Sequence, residues 1–553
     1  MSTSAAKDRG GSESVSCRES TKCEESDSED VVSRIIGDYG KWQLQLTFFL
    51  ALFNLPCTWH IYAMTFQAPE VNFWCSPPEG LEWLPPDLWR NISHTPPLSH
   101  NPKARDNPCQ IWNVNYTNFT YDELVSADFA HKNIGVRNCD KWSYGESEID
   151  ETMVSQWNLV CDKSTLKDTA EMVFLAGVAI GGLISGIISD RFGRKKTLMT
   201  SLMLQIIVGV IIAFVPWFEV FLVLRCLLGF ISVSVVFSGF VLCMELVGGK
   251  WRTVSGVSYL FPVPLSYIAF AGIAYFIRDW KQIQLAITLP AVLLLGLWWI
   301  LPESPRWLLA MGRIEENVEI LKEAAKTNKR TAVQNIDKSL RQSSAEEETD
   351  EKENVGIIDL FRYPNIRKKS LLLYVIWFSV YFVYYGLVMN LTNIGGDIYV
   401  NTIISGLVEI PAIALSILIL LKMGRRWPLC LTLLGSGIAC LLTLPFGEDR
   451  EVLTITLAMF GKFAISSSNA IAPVYTAELF PTVVRNLGVG SSNVAAGVAL
   501  VLVPYLWNLA AIDFRFPMGL LGSFGVVGGI SVLFLEETAN RPMLNTLKEG
   551  ENL

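Results

Sequence analysis

The sequence predicts an all-α integral membrane protein, with twelve transmembrane helices in two pseudo-symmetric six-helix bundles. Three observations carry this. Of 553 residues, 51% are hydrophobic and only 18% are charged, where a soluble domain has about 25% charged; the mean hydropathy is +0.34. Twelve apolar stretches approach the roughly 20 residues a helix needs to cross about 30 Å of hydrocarbon. Landmark residues recur in one order in the two halves of the chain. Irregular backbone cannot face lipid, so the apolar stretches read as helices.

Residues 1–43 form a polar, acidic tail without the charged and apolar regions of a cleavable signal peptide. Residues 44–301 form the first six-helix half, with spans at about 44–66, 170–189, 197–216, 218–239, 254–277 and 283–301. Between its first two spans lies a polar loop, 67–165, with Cys75, Cys109, Cys139 and Cys161. An even set in an oxidising compartment predicts two disulfides, in any of three pairings. The loop also carries glycosylation sequons at Asn91 ("NIS"), Asn115 ("NYT") and Asn118 ("NFT"). A fourth match, Asn390 ("NLT"), falls at the end of span seven and reads as buried and unused.

Residues 302–369 form a central loop, amphipathic in "RIEENVEILKEAAKTN" and then Ser-rich and charged in "SSAEEETDEKEN". That pattern matches short surface helices followed by a disordered segment. Residues 370–535 form the second half, with spans at about 370–391, 400–422, 428–446, 452–474, 486–508 and 516–535; residues 536–553 are a tail. Lys and Arg set the orientation. Arg191–Lys196, Lys250 with Arg252, the 302–369 stretch, Lys422–Arg426 and Arg485 follow spans two, four, six, eight and ten. These loops are therefore cytoplasmic, both termini with them, and 67–165 is extracellular.

The repeat is specific. Gly193-Arg194-Lys195 follows span two and Gly424-Arg425-Arg426 follows span eight. Glu245 stands seven residues before Arg252, and Glu478 seven before Arg485. Glu303 of "PESPRW" follows span six, and Glu537 of "EETANRP" follows span twelve. The offsets from Gly193 to Gly424, Glu245 to Glu478 and Glu303 to Glu537 are 231, 233 and 234 residues. One basic loop could resemble another by chance, but not three landmarks at one spacing.

Two six-helix halves joined by a long inner loop resemble the major facilitator fold, in which substrate sits near the midplane between halves. "GIISDRFGRKK" matches that superfamily's Gly-x-x-x-Asp-Arg-x-Gly-Arg-Arg/Lys signature, with Gly186 allowing close helix approach and Asp190 pairing across the half-to-half contact. Arg191, Gly193 and Arg194 belong to the same gate element. The resemblance extends gating to Glu245, Arg252, Glu303, Arg306, Glu478 and Arg485, in charge pairs that latch the outward-open form. "PESPRWLL", "YYGLVMNL", "VEIPA" and "AELFPTVVRNLGVG", with the Cys- and sequon-bearing outer loop, resemble the organic cation, anion and carnitine transporter family (solute carrier family 22), closest in type to its organic cation transporters. The likeness runs from about Tyr39 to Arg541.

Intramembrane ionisable groups are costly and mark function. Arg225, Glu245, Lys462 and Glu478 read as charges at span ends, leaving Glu409 as the one acid deep in a span, a negative centre for a cationic group. In span seven, Trp377, Tyr381, Tyr384 and Tyr385 offer rings for cation–π attraction, with Trp377, Tyr381 and Tyr384 on one face. Phe237 and Phe240 of span four, and Ser466 and Asn469 of span ten, are further candidates, with Pro473 as a kink. The family resemblance implies a charged residue at Gly497, an acid in cation carriers and an arginine in anion or carnitine carriers; here the position is neutral. Ile413 likewise stands where anion carriers have a lysine. The cavity then holds one net negative charge, from Glu409.

This reading predicts a polyspecific secondary transporter of small organic cations or zwitterions at the plasma membrane. No P-loop or metal-ligand cluster among the four His is present, so neither an enzyme nor a cofactor is predicted. The partners are a small organic solute and the lipid bilayer, with no nucleic acid. Two alternatives stay open: a carrier of organic anions, sugar-like solutes or proton-coupled solutes on the same fold, and a transport-inactive receptor using the outer loop.

Overall fold

The computed structural model describes residues 31–69, 71–95, 107–126, 135–145, 151–249, 251–330, 359–389, 397–446, 450–481, 484–513, 515–538 and 551. Asn390 and the "SSAEEETDEKEN" segment lie outside them. The membrane helices are α1 (Lys41–Ile61), α2 (Thr165–Phe192), α3 (Arg194–Ile212), α4 (Phe218–Leu246), α5 (Trp251–Phe276) and α6 (Trp280–Trp299) in the first half. The second half has α7 (Pro364–Met389), α8 (Ile398–Lys422), α9 (Arg426–Leu442), α10 (Glu451–Leu479), α11 (Arg485–Leu506) and α12 (Arg515–Val532). Ten are long and apolar enough to cross a membrane; α9 is a shorter apolar helix. The remaining one, α10, has 29 residues and Lys462 in its interior.

Small residues let the helices approach closely, as lipid-embedded packing requires. A Cβ at Gly177 of α2 would lie 2.1 Å from the Cys226 carbonyl of α4, and one at Gly229 of α4 would lie 2.2 Å from the Phe174 carbonyl of α2. In the second half Gly437 of α9 meets Gly522 and Gly525 of α12. Gly186 has no such role. A Cβ there would reach the Phe237 ring at an ordinary 3.6 Å, so the tight α2–α4 approach lies earlier in α2, at Gly177 and Gly181.

The halves meet where α2 packs on α11 and α5 on α8, a pairing that the repeat's twofold exchanges. Helix ends on the side of the 67–165 loop join across this interface. Phe66 stacks on Tyr399 at 5.5 Å, Tyr275 meets Tyr399 edge-on at 5.6 Å, and the Thr169 and Tyr505 hydroxyls lie 3.3 Å apart.

The 67–165 loop is a small β-containing unit. Phe73–Cys75 pairs antiparallel with Trp142–Tyr144, and His94–Thr95, Asn107–Trp112 and Val136–Asn138 form a three-stranded sheet. Trp89, Tyr116 and Ile111 fill its core, and Cys75–Cys139 and Cys109–Cys161 are the disulfides. Asn91, Asn115 and Asn118 are all exposed on it. On the opposite side, helix Ile314–Thr327 buries Leu321 and Ala324 against Val32, Ile35 and Ile36 of a short tail helix, Val31–Ile36. Asn328 fastens the two, accepting from the Trp42 amide at 3.0 Å and donating to the Ile36 carbonyl at 3.0 Å.

Candidate functional site

Span seven delivers its aromatic run into the largest buried core. Trp377 stacks on Tyr381 at 5.7 Å, and Tyr381 on Tyr385 at 6.2 Å, because residues four apart sit one above the other on a helix. The Trp377 indole N–H donates to the Thr476 hydroxyl of α10 at 2.9 Å. Tyr384 leaves this stack. The grouping of Trp377 and Tyr381 with Tyr384 is thus replaced by one with Tyr385, and Tyr384 turns toward α8.

There its hydroxyl donates to Glu409 Oε1 at 2.8 Å. Glu409 is 3% exposed, midway along α8, with Pro411 two residues on. Its other oxygen faces Lys462, whose Nζ lies 3.1 Å from Oε2 and 3.6 Å from the Tyr384 ring centre. Lys462 is 2% exposed. It is the twelfth residue of a 29-residue helix, so grouping it with charges at span ends is corrected. Lys462 lies eleven residues from the start and seventeen from the end of this helix, buried among its neighbours. The local charge is therefore zero instead of minus one. A carboxylate and an ammonium in low dielectric are tolerable only as a pair.

The first half closes this site with phenols. The Tyr267 hydroxyl of α5 lies 2.7 Å from that of Tyr62 and 3.0 Å from that of Tyr384, and Lys462 Nζ is 5.8 Å from the Tyr267 ring. Sequence reasoning missed Lys462, Tyr62 and Tyr267. Only Lys462 carried a signal, a lone charge inside "AMFGKFAISSSNA". Ser466 is buried one turn beyond Lys462, and Asn469 is half-buried in the same helix.

Other candidates lie elsewhere. Phe237 faces Gly186 of α2, and Phe240 packs edge-on against Tyr259 at 5.6 Å. Gly497 is an α2–α11 contact: a Cβ there would lie 2.7 Å from that of Ala179. Its missing side chain serves helix approach between the halves, so a charge at this position would wedge them apart. Arg225 is fully buried, 3.1 Å from Glu171 and 4.4 Å from the Phe174 ring centre, which corrects its reading as an end-of-span charge.

The repeated landmarks assemble twice. Glu245 binds the Arg194 guanidinium at 3.0 Å, and Glu478 binds that of Arg425 at 3.0 Å. Glu303 Oε1 accepts the Arg194 and Lys195 amides at 2.9 Å, at the N-terminus of α3. Glu537 accepts those of Arg425 and Arg426 at 2.9 and 3.2 Å, at the N-terminus of α9. Carboxylates at helix N-termini satisfy free N–H groups and complement the dipole. Gly193 (φ +102°) and Gly424 (φ +85°) make the turns, with a carboxylate where a Cβ would be. Arg306 donates to the Met244 and Val247 carbonyls at the end of α4, both at 3.1 Å. Arg252 and Arg485 begin the helices that follow Glu245 and Glu478. Asp190 is exposed and pairs with Arg194 at 2.7 Å, within its own loop and not across the halves; Arg191 is exposed over the Phe192 ring. The Arg194–Glu245 and Arg425–Glu478 pairs each lie within one half of the repeat.

Residues 113–546 match the family described as "Sugar (and other) transporter". The chain is 36% identical to "Organic cation transporter protein" of Drosophila melanogaster, over 95% of this chain and 94% of that one. The chain belongs to the organic cation, anion and carnitine transporter family. It is also 33% identical to human "Organic cation/carnitine transporter 2", covering 94% of this chain and 93% of that one. Among solved structures it superposes on the inward open xylose transporter XylE from E. coli with TM-score 0.61 at 18% identity, over 92% of this chain and 99% of that one; this likeness shows the fold. The protein is thus a multi-pass membrane transporter of the major facilitator type and not an enzyme.

Proposed function

We propose that this transporter moves small organic cations or zwitterions across the plasma membrane by alternating access, with both termini cytoplasmic and the substrate bound at Glu409, Tyr384 and the Trp377–Tyr381–Tyr385 stack. One observation carries the reading. The Lys462 ammonium rests between the Glu409 carboxylate at 3.1 Å and the Tyr384 ring at 3.6 Å, so the site already holds a cation in the way it would hold a substrate's. A desolvated cation over an aromatic face gains about 2 kcal/mol. The names of the relatives, organic cation and carnitine transporters, support the same class. The hydroxyls of Tyr62, Tyr267 and Tyr384 link the two halves at this point, so filling the site can bias how they rock against each other.

The test is uptake into cells expressing the chain, with a labelled quaternary amine, a labelled amino-acid zwitterion and a labelled organic anion. Amine or zwitterion uptake that falls in Glu409→Gln at equal surface expression supports the proposal. Uptake confined to the anion refutes it.

A further inference from the structure

Four buried polar side chains, the two of the ion pair and two serines beside it, have capacity to spare. Lys462 has three N–H donors, and its one described anionic partner is Glu409, at ion-pair distance without hydrogen-bond geometry. Among the described residues Glu409 Oε2 and the hydroxyls of Ser405 and Ser466 have no hydrogen-bond partner, and all four residues are at most 3% exposed. Ser405 is one turn before Glu409 on α8, and Ser466 one turn after Lys462 on α10. Each pole of the pair thus has a hydroxyl one turn away on its own helix.

We propose that Lys462 determines the substrate class: it is an internal counter-cation that binds the carboxylate of a zwitterion and disfavours simple cations. This rests on the site proposed above. Glu409 and Lys462 sum to zero charge. A simple cation that takes Glu409 displaces the ammonium and strands it, buried, among Tyr267 and Tyr384. Removing one partner of a buried pair leaves an uncompensated charge, which is strongly unfavourable. A zwitterion entering between the two poles leaves nothing unpaired. Its ammonium takes Glu409 and the Tyr384 face; its carboxylate takes Lys462, with Ser466 beside it. The four-carbon stem of lysine lets the ammonium swing from the 3.1 Å contact to make room.

The experiment compares a betaine zwitterion, carnitine, with its methyl ester, which keeps the ammonium and loses the carboxylate. Purified wild-type protein should gain more thermal stability from carnitine than from the ester at equal concentration. In cells, Lys462→Met should shift the carnitine-to-ester uptake ratio at least about tenfold toward the ester, chiefly through KM, and Lys462→Arg should retain the wild-type preference. Equal stabilisation by both compounds, or a Lys462→Met variant whose two uptakes fall together at an unchanged ratio, overturns the assignment while leaving the cation site standing. Wild-type uptake of an organic anion alone overturns both.

Discussion

Glu409 and Lys462 can be separated from their surroundings by a double-mutant cycle. Glu409→Gln keeps the side chain's size and an oxygen for the Tyr384 hydroxyl, now 2.8 Å away, but removes the charge facing Lys462 at 3.1 Å. Lys462→Met removes the other charge. Both groups are almost wholly excluded from solvent. Each single change therefore leaves a lone buried ion and should destabilise by about 3–5 kcal/mol, whereas replacing both is close to neutral. At roughly 2–4 °C per kcal/mol for a unit of about 150–250 residues, a 3 kcal/mol loss lowers the unfolding midpoint by roughly 6–12 °C. The assay is thermal unfolding of the four detergent-purified proteins, followed by fluorescence-detected size exclusion. The two single variants should fall and the double variant should recover most of the loss, giving a coupling of at least about 3 kcal/mol. Additive losses in the double variant would mean that the two charges do not see each other, and would refute the paired site.

Three other outcomes are expected. Glycosidase should increase the protein's gel mobility, and the effect should vanish when Asn91, Asn115 and Asn118 are all Gln; a surviving shift would place Asn390 outside the membrane and displace the end of span seven. Arg194→Ala removes the guanidinium that holds Glu245 and should slow turnover at near-normal surface expression, while Asp190→Ala, an exposed pair worth about 0–1 kcal/mol, should do little; equal effects in transport assays would show that the loop acts through Asp190. Gly497→Arg should lower surface expression, because its Cβ alone lies 2.7 Å from that of Ala179, and a normally expressed variant with altered selectivity would return this position to the cavity.

The sequence by itself determined the twelve spans, the repeat and the family, because each is written in local composition or in fixed offsets along the chain. Hydrophobic length reports a span without knowledge of its neighbours, and Gly193 and Gly424, 231 residues apart, report the same turn twice. Glu409 was legible for the same reason, as an acid inside an apolar run. What only the tertiary structure decided was which charges meet. Lys462 is 53 residues from Glu409, and nothing in either segment announces that they share a site. Tyr62 and Tyr267, far from Tyr384 in the chain, join it only because Tyr62, just past the end of α1, and α5 meet α7 across the halves. Disulfide pairing was likewise open among three choices until the fold of the 67–165 loop brought Cys75 to Cys139 and Cys109 to Cys161. A charge's solvation depends on what surrounds it in space. The same lysine is a solvated end-of-span group in one packing and half of a buried ion pair in another, and helix packing alone selects between them.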